Sequence, residues 1–282
     1  MMVMRGMALM VAALLAVPVA AQESRPEAAP ARIPPAQPEG WSITIGAAPV
    51  LSPAWLGSRD VSLSVFPDLR INYRDVLFAS VPDGIGWNAV NGGGWRAGPL
   101  VKIRFGRDER DGGSPFLIAG GSDALVGMGN VKAAGEAGGF VEKAFGPARQ
   151  WSLRGEVRRG FGGHQGVVAD IGGSYRARLG RSIVRFGPRA TLASADFMQT
   201  YFGVDAGQSL RTGLARYDAD GGVLSYGVGG SMVHPLDRRS AITVFGSLER
   251  LGEAAGDSPL VRERGRRAQF TLGVGYGFRF GL

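Results

Sequence analysis

The chain contains no cysteine, two histidines and three lysines among its 282 residues. Without cysteine there is no disulfide framework and no thiolate ligand or nucleophile. His164 and His234, with no cysteine beside them, make a zinc site a poor expectation, and no metal or other cofactor is expected. Past its opening segment the chain has no apolar run approaching the roughly 20 residues of a membrane helix. A membrane-spanning reading has to come from strands, because in hydrocarbon only helices and closed barrels satisfy every backbone polar group.

What is present is a period of two. Phe270, Leu272, Val274, Tyr276, Phe278, Phe280 and Leu282 alternate with Gln269, Thr271, Gly273, Gly275, Gly277, Arg279 and Gly281. This gives an aromatic-rich apolar face and a small or polar one. The stretch 61–73 repeats the pattern with only Phe66 out of place on the polar side, and 95–105 and 167–179 follow it. Charges recurring on the polar face have no place in a dry sandwich core and must face water or one another. The alternation therefore predicts an all-β fold, a transmembrane antiparallel β-barrel of the outer-membrane type.

The opening segment fits export. Arg5 supplies a positive n-region, Met7 to Val17 an apolar h-region, and Val19-Ala20-Ala21 a small-residue cleavage site before Gln22. An uncleaved anchor would need a longer run than one that ends at Pro18. The expected organisation is a signal peptide at 1–21, a Pro-rich periplasmic tail at 22–40 and the barrel at 41–282, with localisation to the cell outer membrane.

Candidate strands fall near 41–50, 61–73, 75–82, 95–105, 115–122, 131–145, 151–161, 167–179, 182–193, 222–236, 240–251 and 267–281, about 12 in all. Even strand number with both ends in the periplasm requires short periplasmic turns to alternate with long outer loops. Counting back from the C-terminus, 74, 146–150, 180–181 and 237–239 are short and periplasmic, while 83–94, 194–221 and 252–266 are long and outer. The segment 106–115 also comes out periplasmic, although it is long for such a turn.

Formal net charge is +8, yet the basic residues form no aromatic-interleaved patch and nucleic acid is not an expected partner. Twelve Arg or Lys fall on inward positions against six acids. Arg176, Arg178, Arg185 and Arg189 are the candidate lumen charges, favouring anions if water crosses the barrel. The other reading is that inward charges pair across strands and plug the lumen. Arg159 and Arg250 fall on the lipid face near the outer strand ends, where a guanidinium can grip a glycolipid phosphate or simply snorkel. Neither histidine finds a serine at a usable spacing, so no catalytic pair is expected and the protein is read as a non-enzyme.

Gln199-Thr200-Tyr201-Phe202-Gly203-Val204, Gly213-Leu214 with Tyr217, the run from Leu251 to Val261 with Asp257-Ser258-Pro259, and Gly106-Arg107-Asp108 resemble the MipA/OmpV family of MltA-interacting outer-membrane proteins. Terminal Leu282 departs from the aromatic ending common in such barrels. The resemblance implies a scaffold that links a lytic transglycosylase to a peptidoglycan synthase in cell-wall assembly, and supplies no catalytic residues. Such a scaffold would use the Pro-rich tail and the turns at 106–115, 146–150 and 237–239. Tyr201 to Val204 and Asp257 to Val261 are expected in outer loops that fold inward over the barrel mouth. The alternative function is a small anion-preferring channel or uptake barrel for polar solutes. Outer-membrane lipid is a partner on either reading.

Overall fold

The computed structural model describes residues 40–281. The signal peptide expected at 1–21, the Pro-rich tail up to residue 39 and Leu282 lie outside the described residues.

The chain is a closed antiparallel β-barrel of twelve strands. Eleven of them are single runs: β1 (Trp41–Pro53), β2 (Val61–Tyr73), β3 (Leu77–Ser80), β6 (Trp95–Arg104), β8 (Ala134–Phe145), β9 (Trp151–Gly162), β10 (Val167–Leu179), β11 (Ser182–Ala193), β12 (Gly222–Pro235), β13 (Ser240–Leu251) and β14 (Ala268–Gly281). The twelfth is split into β4 (Gly84–Trp87) and β5 (Val90–Gly92), which both pair with β6. Each strand pairs with its sequence neighbours, and β1 closes the ring on β14 and β2. A short β7 (Leu117–Gly120) lies against the outer end of β2 and is not one of the twelve.

The register keeps the two faces apart. Val244 sits across from Val274 and Leu248 from Phe270 on the lipid side. Phe245 faces Gly273 and Glu249 faces Gln269 on the lumen side. Side chains on the first face, such as Ile45, Val157, Ile171 and Val228, are exposed although apolar, the signature of a surface solvated by lipid.

The strand count agrees with the alternation, but two segments trade places. The segment 83–94, expected to be a long outer loop, holds β4 and β5 and ends in a tight periplasmic turn at Gly93-Gly94, both with positive φ. Glycines at 84, 86, 92, 93 and 94 hide its period of two. The segment 106–115, expected in the periplasm, belongs to the long outer loop 105–133, and β7 replaces the full strand expected at 115–122. With this exchange every periplasmic connection is short: 74–76, 93–94, 146–150, 180–181 and 236–239.

The apolar core sits in the outer loops. The connection after β11 carries α1 (Ala195–Phe202) and α2 (Ala206–Thr212), and the one after β13 carries α3 (Glu253–Gly256) and α4 (Pro259–Arg264). Phe197, Met198, Phe202, Val204, Leu214, Leu260 and Val261 are almost wholly buried with Trp55, Leu125 and Met128 from the other outer loops. As expected from their aromatics, these loops fold inward over the mouth.

Candidate functional site in the barrel lumen

The wall of β6, β8, β9 and β10 carries a continuous ladder of ion pairs. From the periplasmic end, Arg96 Nη2 reaches Glu142 Oε1 at 2.6 Å, and Arg154 joins Glu142 (3.3 Å) to Glu156 (3.0 Å). Glu156 also holds Lys102 Nζ at 2.6 Å and the guanidinium of Arg158. Arg158 continues to Glu136 (2.7 Å) and Asp170 (2.8 Å), and Glu136 takes Arg104 at 2.5 Å. The antiparallel register sets Arg96 and Arg154 directly across from Glu142 on either side, and the remaining pairs run diagonally between strands. Glu136, Glu156 and Arg158 are nearly solvent-free, so each charge depends on the others for its solvation.

At the outer end the ladder meets the loop core. His164, in the turn 163–166, places Nε2 3.0 Å from Glu136 Oε1, and its ring packs edge-on to Phe197 and Tyr201. Burial pushes its pKa below the ordinary histidine value, with Glu136 pulling the other way. Arg107 is buried, donates Nη1 to the carbonyl of Tyr201 at 2.6 Å, and is pushed down to about 10 by desolvation. The same desolvation raises the Tyr201 phenol. Further bonds stitch the outer loops together: Gln208 Nε2 to the Met128 carbonyl (2.7 Å), Ser258 Oγ to the Phe202 carbonyl (2.6 Å) and Tyr217 Oη to the Ala254 carbonyl (2.8 Å). A cavity of about 220 Å³, lined in part by Trp55, Ser225, Ser247, Glu249, Gln269 and Thr271, lies on the β12–β14 side.

The periplasmic half differs. Arg176 lies directly across from Arg185 on the lumen side, with Arg178 near the strand end and Arg189 further in. All four side chains are solvent-exposed. Arg189 approaches Glu249 at 3.4 Å; Arg176, Arg178 and Arg185 have no ion-pair partner among the described residues. The four candidate lumen arginines thus lie on two adjacent strands, Arg176, Arg178 and Arg185 in the periplasmic half and Arg189 nearer the outer end. Lys132, one of the twelve basic residues that the alternation counts as inward, lies in the loop before β8 and is exposed.

Arg159 and Arg250 lie on the lipid face near the outer ends of β9 and β13, both exposed. The strand order separates them by β10, β11 and β12, so they do not form one site. The sequence reading missed two histidine contacts. One is the His164–Glu136 pair. The other joins Ser182 Oγ to His234 Nδ1 at 2.8 Å, between strands whose register brings together residues 52 apart. No carboxylate bonds His234 among the described residues, so this pair lacks the third group that orients a catalytic base.

The sequence model for the MltA-interacting protein MipA matches residues 45–280. The chain belongs to that family. This MipA-family barrel resides in the outer membrane, and its lipid-facing belt is the surface such a location requires. Three solved structures resemble it. An outer membrane channel from Pseudomonas putida F1 is 14% identical with a TM-score of 0.45, over 88% of this chain and 100% of that one. OmpT of Vibrio cholerae is 7% identical with a TM-score of 0.35, over 85% and 96%. OccK8 (OprE) of Pseudomonas aeruginosa is 9% identical with a TM-score of 0.29, over 74% and 68%. No match was found among curated proteins.

Proposed function

We propose that this barrel is an envelope scaffold whose working face is the periplasmic end, linking a lytic transglycosylase to a peptidoglycan synthase in cell-wall assembly. The observation that carries this reading is the asymmetry of the lumen: dry apolar packing fills the outer mouth, whereas the vestibule behind it opens towards the periplasm. The short turns at that end bear Arg74, Arg149, Arg181, Arg238 and Arg239 against Asp75 and Asp237, a basic rim suited to an acidic partner surface. The family's name supports the enzyme partner. The segment 106–115 has no part in such contacts because it lies at the outer end, which leaves the tail at 22–40 and the turns at 146–150 and 236–239. Envelope pull-down should recover both enzymes with the parent chain and lose them when Arg181, Arg238 and Arg239 are reversed to Glu. Unchanged recovery with both the reversal and a deletion of 22–40 would reject the scaffold.

A second reading, the small anion-preferring channel or uptake barrel, is favoured by the unpaired Arg176, Arg178 and Arg185. It requires the outer plug to open. Steady anion-selective conductance in a planar bilayer, altered when Arg176, Arg178 and Arg189 are reversed to Glu, would establish it in place of the scaffold. On either reading we take the chain to be exported with cleavage before Gln22, to lack enzymatic activity, and to set Arg159 and Arg250 against phosphates of the outer-leaflet glycolipid.

A further inference from the structure

One stretch of the barrel wall lacks a paired strand among the described residues. The β3–β4 hairpin turns at residues 81–83, where Ser80 pairs with Arg70, so it rises only four residues along β2. At the outer end β7 takes up the same edge of β2 at Ser62 to Ser64, with Val65 N–H donating to the Phe116 carbonyl at 3.0 Å. Between them the edge of β2 from Phe66 to Leu69 has no partner strand, a span of about 13 Å at the rise of an extended chain. Facing it, β6 pairs with β4 no further than Val101, and β7 does not pair with β6.

Three details agree with an open edge. Pro67 shares the backbone direction of Val65, so the N–H that this edge would present there does not exist, and proline is tolerated in strands at just such edges. The most exposed large apolar residues of any strand are Ile103 (72%), Ile118 (66%) and Ile85 (64%), on the elements bordering the gap. Beside it Phe66 from β2, Phe105 after β6 and Phe116 before β7 form a triangle with ring centroids 5.2, 5.7 and 6.3 Å apart. Phe66, the residue that broke the polar pattern of 61–73, belongs to this cluster.

We infer that the gap is a lateral portal, in which the acyl chain of a membrane lipid lodges between Phe66, Phe105 and Phe116 and so reaches the lumen side of the wall. The medium against this part of the wall is hydrocarbon, as the exposed isoleucines show, and phenylalanine rings part for an acyl chain without breaking a hydrogen bond. A continuous ladder offers no such freedom, because opening it strands backbone groups in lipid. The barrel then has a way from membrane to lumen that the plugged outer mouth denies to water-borne solutes.

The test uses the full chain assembled in the outer membrane of a Gram-negative host, with a benzophenone amino acid replacing Phe66 or Phe116. Controls replace lumen-facing Ser247 and lipid-facing Val244, both in fully paired wall. Mass spectrometry after irradiation should find lipid adducts at 66 comparable to those at 244 and about tenfold above those at 247, since only a breached wall brings hydrocarbon to an inward residue. Position 116 lies outside the wall strands and carries the test if the variant at 66 does not assemble. Adduct yields at 66 and 116 no higher than at 247 would overturn the portal, and capture of a protein at 66 would overturn the lipid as its occupant.

Discussion

The two ends of the lumen use the same residue types to opposite effect. In the outer half Glu136 and Arg158 keep 2% and 4% of their side-chain surface, whereas in the periplasmic half Arg96 keeps 42% and Arg176, Arg178 and Arg185 are exposed. The difference comes from the loops: α1, α3 and α4 exclude water from one end, and turns of two to five residues leave the other open. A dry charge must have its counter-charge within the protein, while a wet one is solvated whatever its neighbours. The outer half is therefore constrained by stability, and the periplasmic half is free to carry a function that stability does not dictate.

Replacing one arginine in each half should break the comparison if it is wrong. Arg158→Ala removes the cation shared by the buried Glu136 and Glu156, leaving Arg104 on the first and Lys102 with Arg154 on the second, and should cost about 3 kcal/mol, the lower end for one lost partner of a buried pair. Arg185→Ala should stay within about 0.5 kcal/mol, as exposed substitutions do. Denaturant unfolding in lipid vesicles reads both, and equal costs would mean the two halves are solvated alike. Phe202→Ala comes next, at about 3 kcal/mol for a fully buried ring. That loss falls on the cap rather than the wall, so protease cleavage within 194–221 should rise while the heat-modifiable migration of the barrel persists. Asp205→Ala should cost about 1 kcal/mol and loosen α2 alone. It removes a capping box in which Asp205 accepts from Gln208 N–H at 2.7 Å and the Gln208 side chain accepts from Asp205 N–H at 2.8 Å.

How far the sequence reaches follows the same division. The wall was legible wherever side chains alternate: strands form at Val61–Tyr73, Trp95–Arg104, Val167–Leu179 and Ala268–Gly281. It failed at 83–94, where glycine removes the side chains that report a period, and at 106–122, where one turn-like segment proved to be part of a loop that dips beside β2. The cap was legible only in outline. Tyr201 and Phe202 announced an inward fold, but not the short helix that carries them, because α1 and α2 are too brief to show a helical period. The ion ladder could be placed on one face, yet its pairings join residues far apart in sequence, as for Arg96 and Glu142, 46 residues apart, and the register that brings them together has no local signature.

The smallest effect probes the seam between the two halves. His164 lies where the ladder meets the cap, and burial holds its pKa below the ordinary value of about 6.5 despite the opposing pull of Glu136. A depressed folded-state pKa means that the opened or unfolded form binds the proton first. The cap's stability should thus be complete above about pH 6.5 and decline as the pH falls towards the folded-state value. Hydrogen-exchange protection in 194–221, taken relative to the intrinsic exchange rate at each pH, should fall on acidification, and His164→Gln should flatten that dependence while leaving protection in the periplasmic turns unchanged. Gly160→Ala offers a steric control, because a methyl group there would run into the imidazole and displace it without altering any charge. If protection instead rose on acidification, His164 would be taking up its proton in the closed state, and Glu136 would outweigh burial at the junction of the dry and wet halves.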